Sequence, residues 1–246
     1  MMLTDKTALV TGAANRLGAQ IARTLHQNGA NLIIHYRSSA SAAMALEKEL
    51  NQQRAGSASC IAADLSLVDD INRLAEQACS SFDGLDLLIN NASSFYPTPL
   101  GEINEQAWDD LVTSNFKAPL FLSQACHAAL KKSRGCIINM VDIYASRPLA
   151  QHSVYSSAKA ANQMLVKSLA LEMAPDVRVN GIAPGAILWP ATDTAEDEAQ
   201  QQTILQQVPL KRLGSTKAIT DCLLMLAGND YITGEIIRVD GGRSLT

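Results

Sequence analysis

The chain has 246 residues, 47% of them hydrophobic, with a formal net charge of −4 and a sequence pI near 5.6. This balance excludes a broadly basic face for nucleic acid or anionic lipid and leaves room for a local basic pocket alone. No apolar run is long enough to cross a bilayer and the first residues lack a basic–apolar leader pattern, so a soluble, cytoplasmic protein is expected, with residues 1–246 forming one domain that no linker or repeat interrupts.

In chain order, a first strand is expected over Thr7–Val10, followed by Thr11-Gly12-Ala13-Ala14-Asn15-Arg16-Leu17-Gly18 and a helix over Arg16–Gln27. A strand, a glycine turn and a helix start form the geometry that receives a pyrophosphate on free backbone N–H groups. Gly12 allows the tight turn and Gly18 close packing, while Arg16 occupies the place of the middle glycine; an ordinary turn with two glycines is the alternative. The second strand, Asn31–Tyr36, ends in His35-Tyr36-Arg37-Ser38 without the carboxylate that an NAD site places there. An arginine and hydroxyls suit a 2′-phosphate, so NADPH is the expected cofactor, against the alternative of Arg37 as a solvated loop residue.

A helix over 41–53 leads to the third strand, Ser57–Ala62, which is followed by Asp64-Leu65. The Asp64 carboxylate could accept from the adenine amino group or cap the next helix, expected over Val68–Ser81. The fourth strand, Leu85–Ile89, runs into Asn90-Asn91-Ala92-Ser93, whose small residues let backbone approach a cofactor or simply form a turn. One helix is expected over Gln106–Lys131, then a strand over Cys136–Val141, a helix over Val154–Met173, a strand over Val177–Ile182, a helix over Thr216–Leu226 and a last strand over Glu235–Val239. Alternating strands and helices, with strands apolar on successive residues, predict an α/β fold: a doubly wound, Rossmann-like parallel sheet with ligands beyond the strand ends. The five cysteines are odd in number and form no C-x-x-C pair; they read as reduced core residues, and no metal is expected.

Tyr155 and Lys159 stand four apart in a helix-forming stretch and so share a face. An ammonium beside a phenol stabilises phenolate, lowers its pKa and makes Tyr155 a candidate proton donor. In this order the glycine turn, Asn90-Asn91-Ala92, Asn115, Tyr155-x-x-x-Lys159 and Pro184-Gly185 resemble the short-chain dehydrogenase/reductase family across nearly the whole chain. The resemblance implies hydride transfer with a nicotinamide cofactor, no metal and a homotetramer. It implies that Tyr155 donates the proton, that Lys159 tunes it and holds the nicotinamide ribose, that Asn115 anchors a water, and that Pro184 and Gly185 line the cofactor site.

One position departs from that family. The serine expected thirteen residues before the tyrosine is Asp142, which when ionised can only accept a hydrogen bond. A plain ketone reductase is thereby disfavoured, and a carboxylate beside the phenol keeps Tyr155 protonated. With Arg16 and the run Ser93-Ser94-Phe95-Tyr96-Pro97, this departure resembles the pteridine reductase branch. There Ser93 would bond the pterin, Phe95 would stack over it or else anchor its loop in the core, and Arg16 would meet cofactor phosphate and substrate. The implied substrate is an oxidised pterin or dihydropterin such as biopterin, dihydrobiopterin or dihydrofolate. A dihydromonapterin or dihydrofolate reductase, or a carbonyl-reducing enzyme, is the alternative. A substrate loop is expected over about residues 186–210, with Leu188 and Trp189 as its apolar wall or as an anchor, and the closing Val239–Leu245 stretch could reach a neighbouring subunit's site.

Overall fold

A computed structural model describes residues 3–187 and 195–246, with the backbone alone over 195–200. The strands are β1 (Thr7–Val10), β2 (Asn31–Tyr36), β3 (Ala58–Ala62), β4 (Leu87–Asn90), β5 (Cys136–Met140), β6 (Arg178–Pro184) and β7 (Ile236–Val239). They pair in parallel in one seven-stranded sheet, in the order β3-β2-β1-β4-β5-β6-β7. Helices α1 (Arg16–Gln27), α2 (Ala40–Gln53) and α8 (Thr216–Gly228) pack on one face. The other is covered by α3 (Val68–Ser80), α5 (Ala118–Ser133) and α6 (Ser153–Met173). This is the doubly wound, Rossmann-like architecture that the alternation of strands and helices predicts.

The unbroken apolar strands have a direct cause. Leu88 and Ile137 enter the core under α3, α5 and α6, whereas their neighbours Leu87, Ile89 and Ile138 enter the core under α1, α2 and α8. With both faces buried, each successive side chain needs an apolar partner. The winding reverses between β1 and β4, the point at which such sheets take their ligands beyond the strand ends.

The long helix expected over Gln106–Lys131 is instead α4 (Glu105–Val112), a π-helical turn at Thr113–Lys117, and α5. Pro119, in the first turn of α5, has no N–H to offer the carbonyl four residues back, which is that of Asn115. That oxygen accepts from Asn162 Nδ2 at 2.9 Å instead. Asn162 accepts in turn from Asn139 at 2.8 Å, and Asn139 from Asn90 at 2.8 Å. A buried amide ladder thus ties the π turn through α6 and β5 to β4. Element ends otherwise differ from expectation by a residue or two, and α7 (Ala195–Gln206) lies in the stretch expected as a substrate loop. Leu188 and Trp189 lie outside the described residues. No helix among the described residues is long and apolar enough to cross a membrane.

Candidate active site

A cleft of about 1270 Å³ opens beyond the strand ends, lined on one side by the glycine turn, Arg37 and Asp64, and on the other by Phe95, Asp142 and Tyr155. It exceeds the roughly 300–1,000 Å³ usual for a single small ligand. A dinucleotide and a second molecule are what such a volume suits.

The cofactor side is built by β1 and its helix. Gly12 has a φ of +62°, and a Cβ there would come within 3.1 Å of Ala92 Cα. At Gly18 a Cβ would overlap the Gly12 carbonyl oxygen and sit 2.7 Å from Asn91 Nδ2. Thr11 Oγ1 accepts from the N–H groups of Asn91 and Ala92 at 2.9 and 3.0 Å, while Asn91 Nδ2 donates to the carbonyls of Thr11 and Gly12 at 2.9 and 3.3 Å. The two loops are therefore locked to each other. At the start of α1, the Asn15 side chain makes no cap bond and the first turn holds no acidic residue, so its N–H groups face the cleft unclaimed. Arg16 sits there at a φ of +50° and, with Asn15, is exposed, while Leu17 is half-buried. This arrangement fits a dinucleotide pyrophosphate.

His35 acts beneath that turn. Its Nδ1 accepts from Gly12 N–H at 3.1 Å, which leaves Nε2 to donate to the Ala63 carbonyl at 3.1 Å. Both ring nitrogens are engaged by backbone, so His35, which lines the cleft and was expected to bind the cofactor, braces Gly12 with its ring. Burial lowers its pKa to about 4, against the opposing pull of the Ala63 bond. An unfolded histidine takes a proton near pH 6.5, so the folded state keeps its full advantage above that pH and loses it progressively down to about pH 4. The loss amounts to roughly 3 kcal/mol. Chemical denaturation at pH 7 and pH 4.5 is expected to show this fall in the parent chain and a flatter one in His35→Asn. Equal slopes in the two would contradict the brace.

Tyr36, Arg37 and Ser38 line the cleft beyond β2. Asp64 accepts from Ser66 N–H at 2.9 Å, and that bond, aided by the charge of Arg37, holds its carboxyl below the usual range. The residue preceding α3 is Leu67, so Asp64 does not cap that helix. Leu65 is buried at the cleft edge, and Pro184 and Gly185 line it from β6.

On the other side, Tyr155 and Lys159 share the inner face of α6, each 3% exposed. The Tyr155 hydroxyl donates to Asp142 Oδ2 at 2.7 Å, and Asp142 Oδ1 accepts from Tyr144 N–H at 2.9 Å. Lys159 Nζ donates to the Met140 carbonyl at 2.8 Å and lies 5.7 Å from the Tyr155 ring centroid. The expected lowering of the phenol by Lys159 is not what this geometry produces. Burial, and after it the Asp142 carboxylate, push Tyr155 well above its ordinary pKa. Burial lowers Lys159 to about 8, with Asp142 opposing. Asp142 is itself raised by burial, against the Tyr144 N–H and the charges of Lys159 and Arg243.

Asn115 is fully buried in the π turn. Its Oδ1 accepts from Ser93 Oγ at 2.7 Å and its Nδ2 donates to the Ser94 carbonyl at 2.9 Å, so its side chain holds the loop that carries Phe95. The Phe95 ring is 56% exposed, which removes the alternative of a core anchor. It stacks on His152 with centroids 4.8 Å apart and meets Tyr155 edge-on at 4.8 Å. An aromatic plane beside the Tyr155 hydroxyl can serve as a platform for a flat ring.

Sequence reasoning missed His152, Tyr144, Gln207 and Arg243, all of which line the cleft. In the closing stretch, Arg243 lines the cleft of its own chain. Asp240 accepts from Gly242 and Ser244 N–H at 2.9 and 2.8 Å, and this turn presents Arg243. The signal for His152 was its place three residues before Tyr155, at the head of α6; nothing local marks Arg243. Among the described residues no cluster of His, Cys, Asp and Glu is built for a metal.

Comparison with known proteins bears on this geometry. A family profile described as Enoyl-(Acyl carrier protein) reductase matches residues 12–244. The chain is 37% identical over 285 residues to Pteridine reductase 1 of Leishmania tarentolae, covering 99% of this chain and 98% of that one. It is 34% identical over 245 residues to a 3-oxoacyl-[acyl-carrier-protein] reductase of Staphylococcus aureus, covering 98% and 99%. An uncharacterized oxidoreductase of Bacillus subtilis is 30% identical over 242 residues, covering 97% and 98%.

Proposed function

The chain belongs to the short-chain dehydrogenase/reductase family, and from that premise we propose that it is an NADPH-dependent pteridine reductase acting on a C=N bond of a pterin or dihydropterin. The carrying observation is the Asp142 carboxylate bonded at 2.7 Å to the Tyr155 hydroxyl beside the exposed Phe95 ring. NADPH, when bound, supplies the hydride. Asn115 and the Ser93–Ser94 loop hold Phe95 as a plane for the heterocycle, and Lys159 orients the ribose. Arg37 and Ser38 take the 2′-phosphate, and Arg16 meets phosphate and substrate. A homotetrameric, cytoplasmic enzyme belongs to the same reading.

Tyr155 gives its proton to the ring nitrogen. Phenolate left beside an ionised Asp142 would place two negative charges within hydrogen-bond distance, an arrangement that burial penalises. Asp142 avoids it by entering the step protonated and passing its own proton to Tyr155 Oη as the phenol proton leaves. Burial raises the Asp142 carboxyl, which favours the protonated form that such a relay needs.

A 3-oxoacyl reductase is the competing reading, favoured by the similarity to the staphylococcal enzyme. It requires a donor free to meet a carbonyl oxygen where Asp142 stands, whereas that carboxyl is committed to the Tyr155 hydroxyl at 2.7 Å. NADPH oxidation measured against dihydrobiopterin, dihydrofolate and acetoacetyl-coenzyme A separates the two. Turnover of the thioester alone would overturn the pterin reading. For the cofactor, Arg37→Ala is expected to raise the KM for NADPH about tenfold and that for NADH far less, since charge-assisted bonds are worth about 1.5–3 kcal/mol. An equal rise for both nucleotides would remove Arg37 from phosphate recognition.

A further inference from the structure

Arg243 is a guanidinium 9% exposed, delivered into the cleft by the C-terminal tail. A charge so enclosed ordinarily has a carboxylate partner. Here no acidic side chain among the described residues lies within salt-bridge distance. Asp142 feels its charge without pairing to it. Of the five N–H donors of the guanidinium, Nη2 reaches Gln207 Oε1 at a long 3.3 Å and the group also bonds the Tyr144 hydroxyl, both neutral partners. The plane sits 5.6 Å from the Tyr144 ring centroid, which steadies it without neutralising it. Its position is nevertheless firmly set. Arg147 Nη1 donates to the Arg243 carbonyl at 2.6 Å, and Asp240 ties down the residues on either side.

Among the described residues, therefore, Arg243 is a cation without a countercharge, fixed in place in the part of the cleft bounded by Asp142, Tyr144 and Gln207. The seats proposed for the cofactor's pyrophosphate and 2′-phosphate are formed by other segments, the turns after β1 and β2 respectively. We propose that Arg243 is a subsite for an anionic arm of the substrate, a carboxylate, and that it selects pterins bearing such an arm over those with a neutral side chain. This rests on the pterin reading for the ring but not for the anion. A fork of N–H donors matches a carboxylate edge to edge, and both charges keep their value in an enclosed site.

The test compares Arg243→Gln and Arg243→Lys with the parent chain, using NADPH and dihydrofolate, whose glutamate carries two carboxylates, or dihydrobiopterin, whose side chain is neutral. Arg243→Gln is expected to lower the ratio of kcat/KM for dihydrofolate to that for dihydrobiopterin at least tenfold, with part of the loss recovered in Arg243→Lys. The inhibition constant of p-aminobenzoylglutamate, which has the carboxylates and no pterin ring, is expected to rise at least tenfold in Arg243→Gln. A ratio and an inhibition constant both within twofold of the parent overturn the subsite. If neither pterin is turned over and acetoacetyl-coenzyme A is, the pterin reading fails. The anion subsite then stands if the KM for that phosphate-bearing thioester rises tenfold in Arg243→Gln, and falls with it if the KM is unmoved.

Discussion

Asp142→Ala is expected to lower NADPH-dependent pterin turnover about 10²–10³-fold, the range typical for loss of a positioned proton-transfer group, while NADPH still binds. The sign of this effect is informative because two roles for Asp142 predict opposite outcomes. If its carboxylate acted through charge alone, its removal would relieve the elevated phenol of Tyr155 and make the tyrosine a better acid, so turnover would hold or rise. If Asp142 refills Tyr155 through their 2.7 Å bond, its removal leaves a phenolate with no proton source, and the relay prediction wins.

The pH profile separates the roles again. Burial raises Asp142 above its usual range, and the groups facing it are Tyr155, the Tyr144 N–H, Lys159 and Arg243. Delivery needs the protonated acid, so kcat is expected to fall as pH rises through the apparent pKa of the Asp142–Tyr155 pair. Asp142→Asn, which cannot titrate, is expected to flatten that limb. Pterin turnover within a few-fold of the parent in Asp142→Ala, with cofactor affinity intact, would remove Asp142 from the mechanism.

Gly18→Ala is expected to cost stability and at least tenfold in NADPH affinity. Alanine is a better helix former than glycine by about 1 kcal/mol, so propensity alone would raise the melting temperature. Sterics oppose this: the added methyl would overlap the Gly12 carbonyl oxygen and lie 2.7 Å from Asn91 Nδ2, atoms of the two loops that Thr11 and Asn91 lock together. Overpacking costs typically about 1–3 kcal/mol, and here the atom most displaced is a backbone oxygen at the turn where the pyrophosphate would sit. Thermal melts together with fluorescence titration of NADPH measure both effects. A raised melting temperature with unchanged affinity would show that the turn gives way freely.

Much of the framework was legible in the sequence because its signals are local. Strands such as Cys136–Met140, apolar on every residue, announce a sheet covered on both faces, and Gly12 and Gly18 announce a turn followed closely by a helix. Tyr155 and Lys159 share a helix face by spacing alone, and Asp142 stood out as acceptor-only chemistry where a donor is usual. The break in the long fourth helix was less visible, although Pro119 was its cause, because a proline leaves open which donor will claim the freed carbonyl. Asn162, on a helix 47 residues further along, supplied the answer.

What the sequence determined by itself is the sheet, the glycine turn and the trio Asp142, Tyr155 and Lys159 as chemical types. The tertiary structure alone decided how those types behave. It turned His35 from a candidate ligand into a brace under Gly12, directed Lys159 to a backbone carbonyl, and made Asp142 the direct partner of the phenol. It also carried Arg243 from the chain's end into the cleft. The reason is the range of the forces involved. Periodicity and turn chemistry act between near neighbours in sequence, whereas desolvation and pairing of charges depend on which distant segments close around a group.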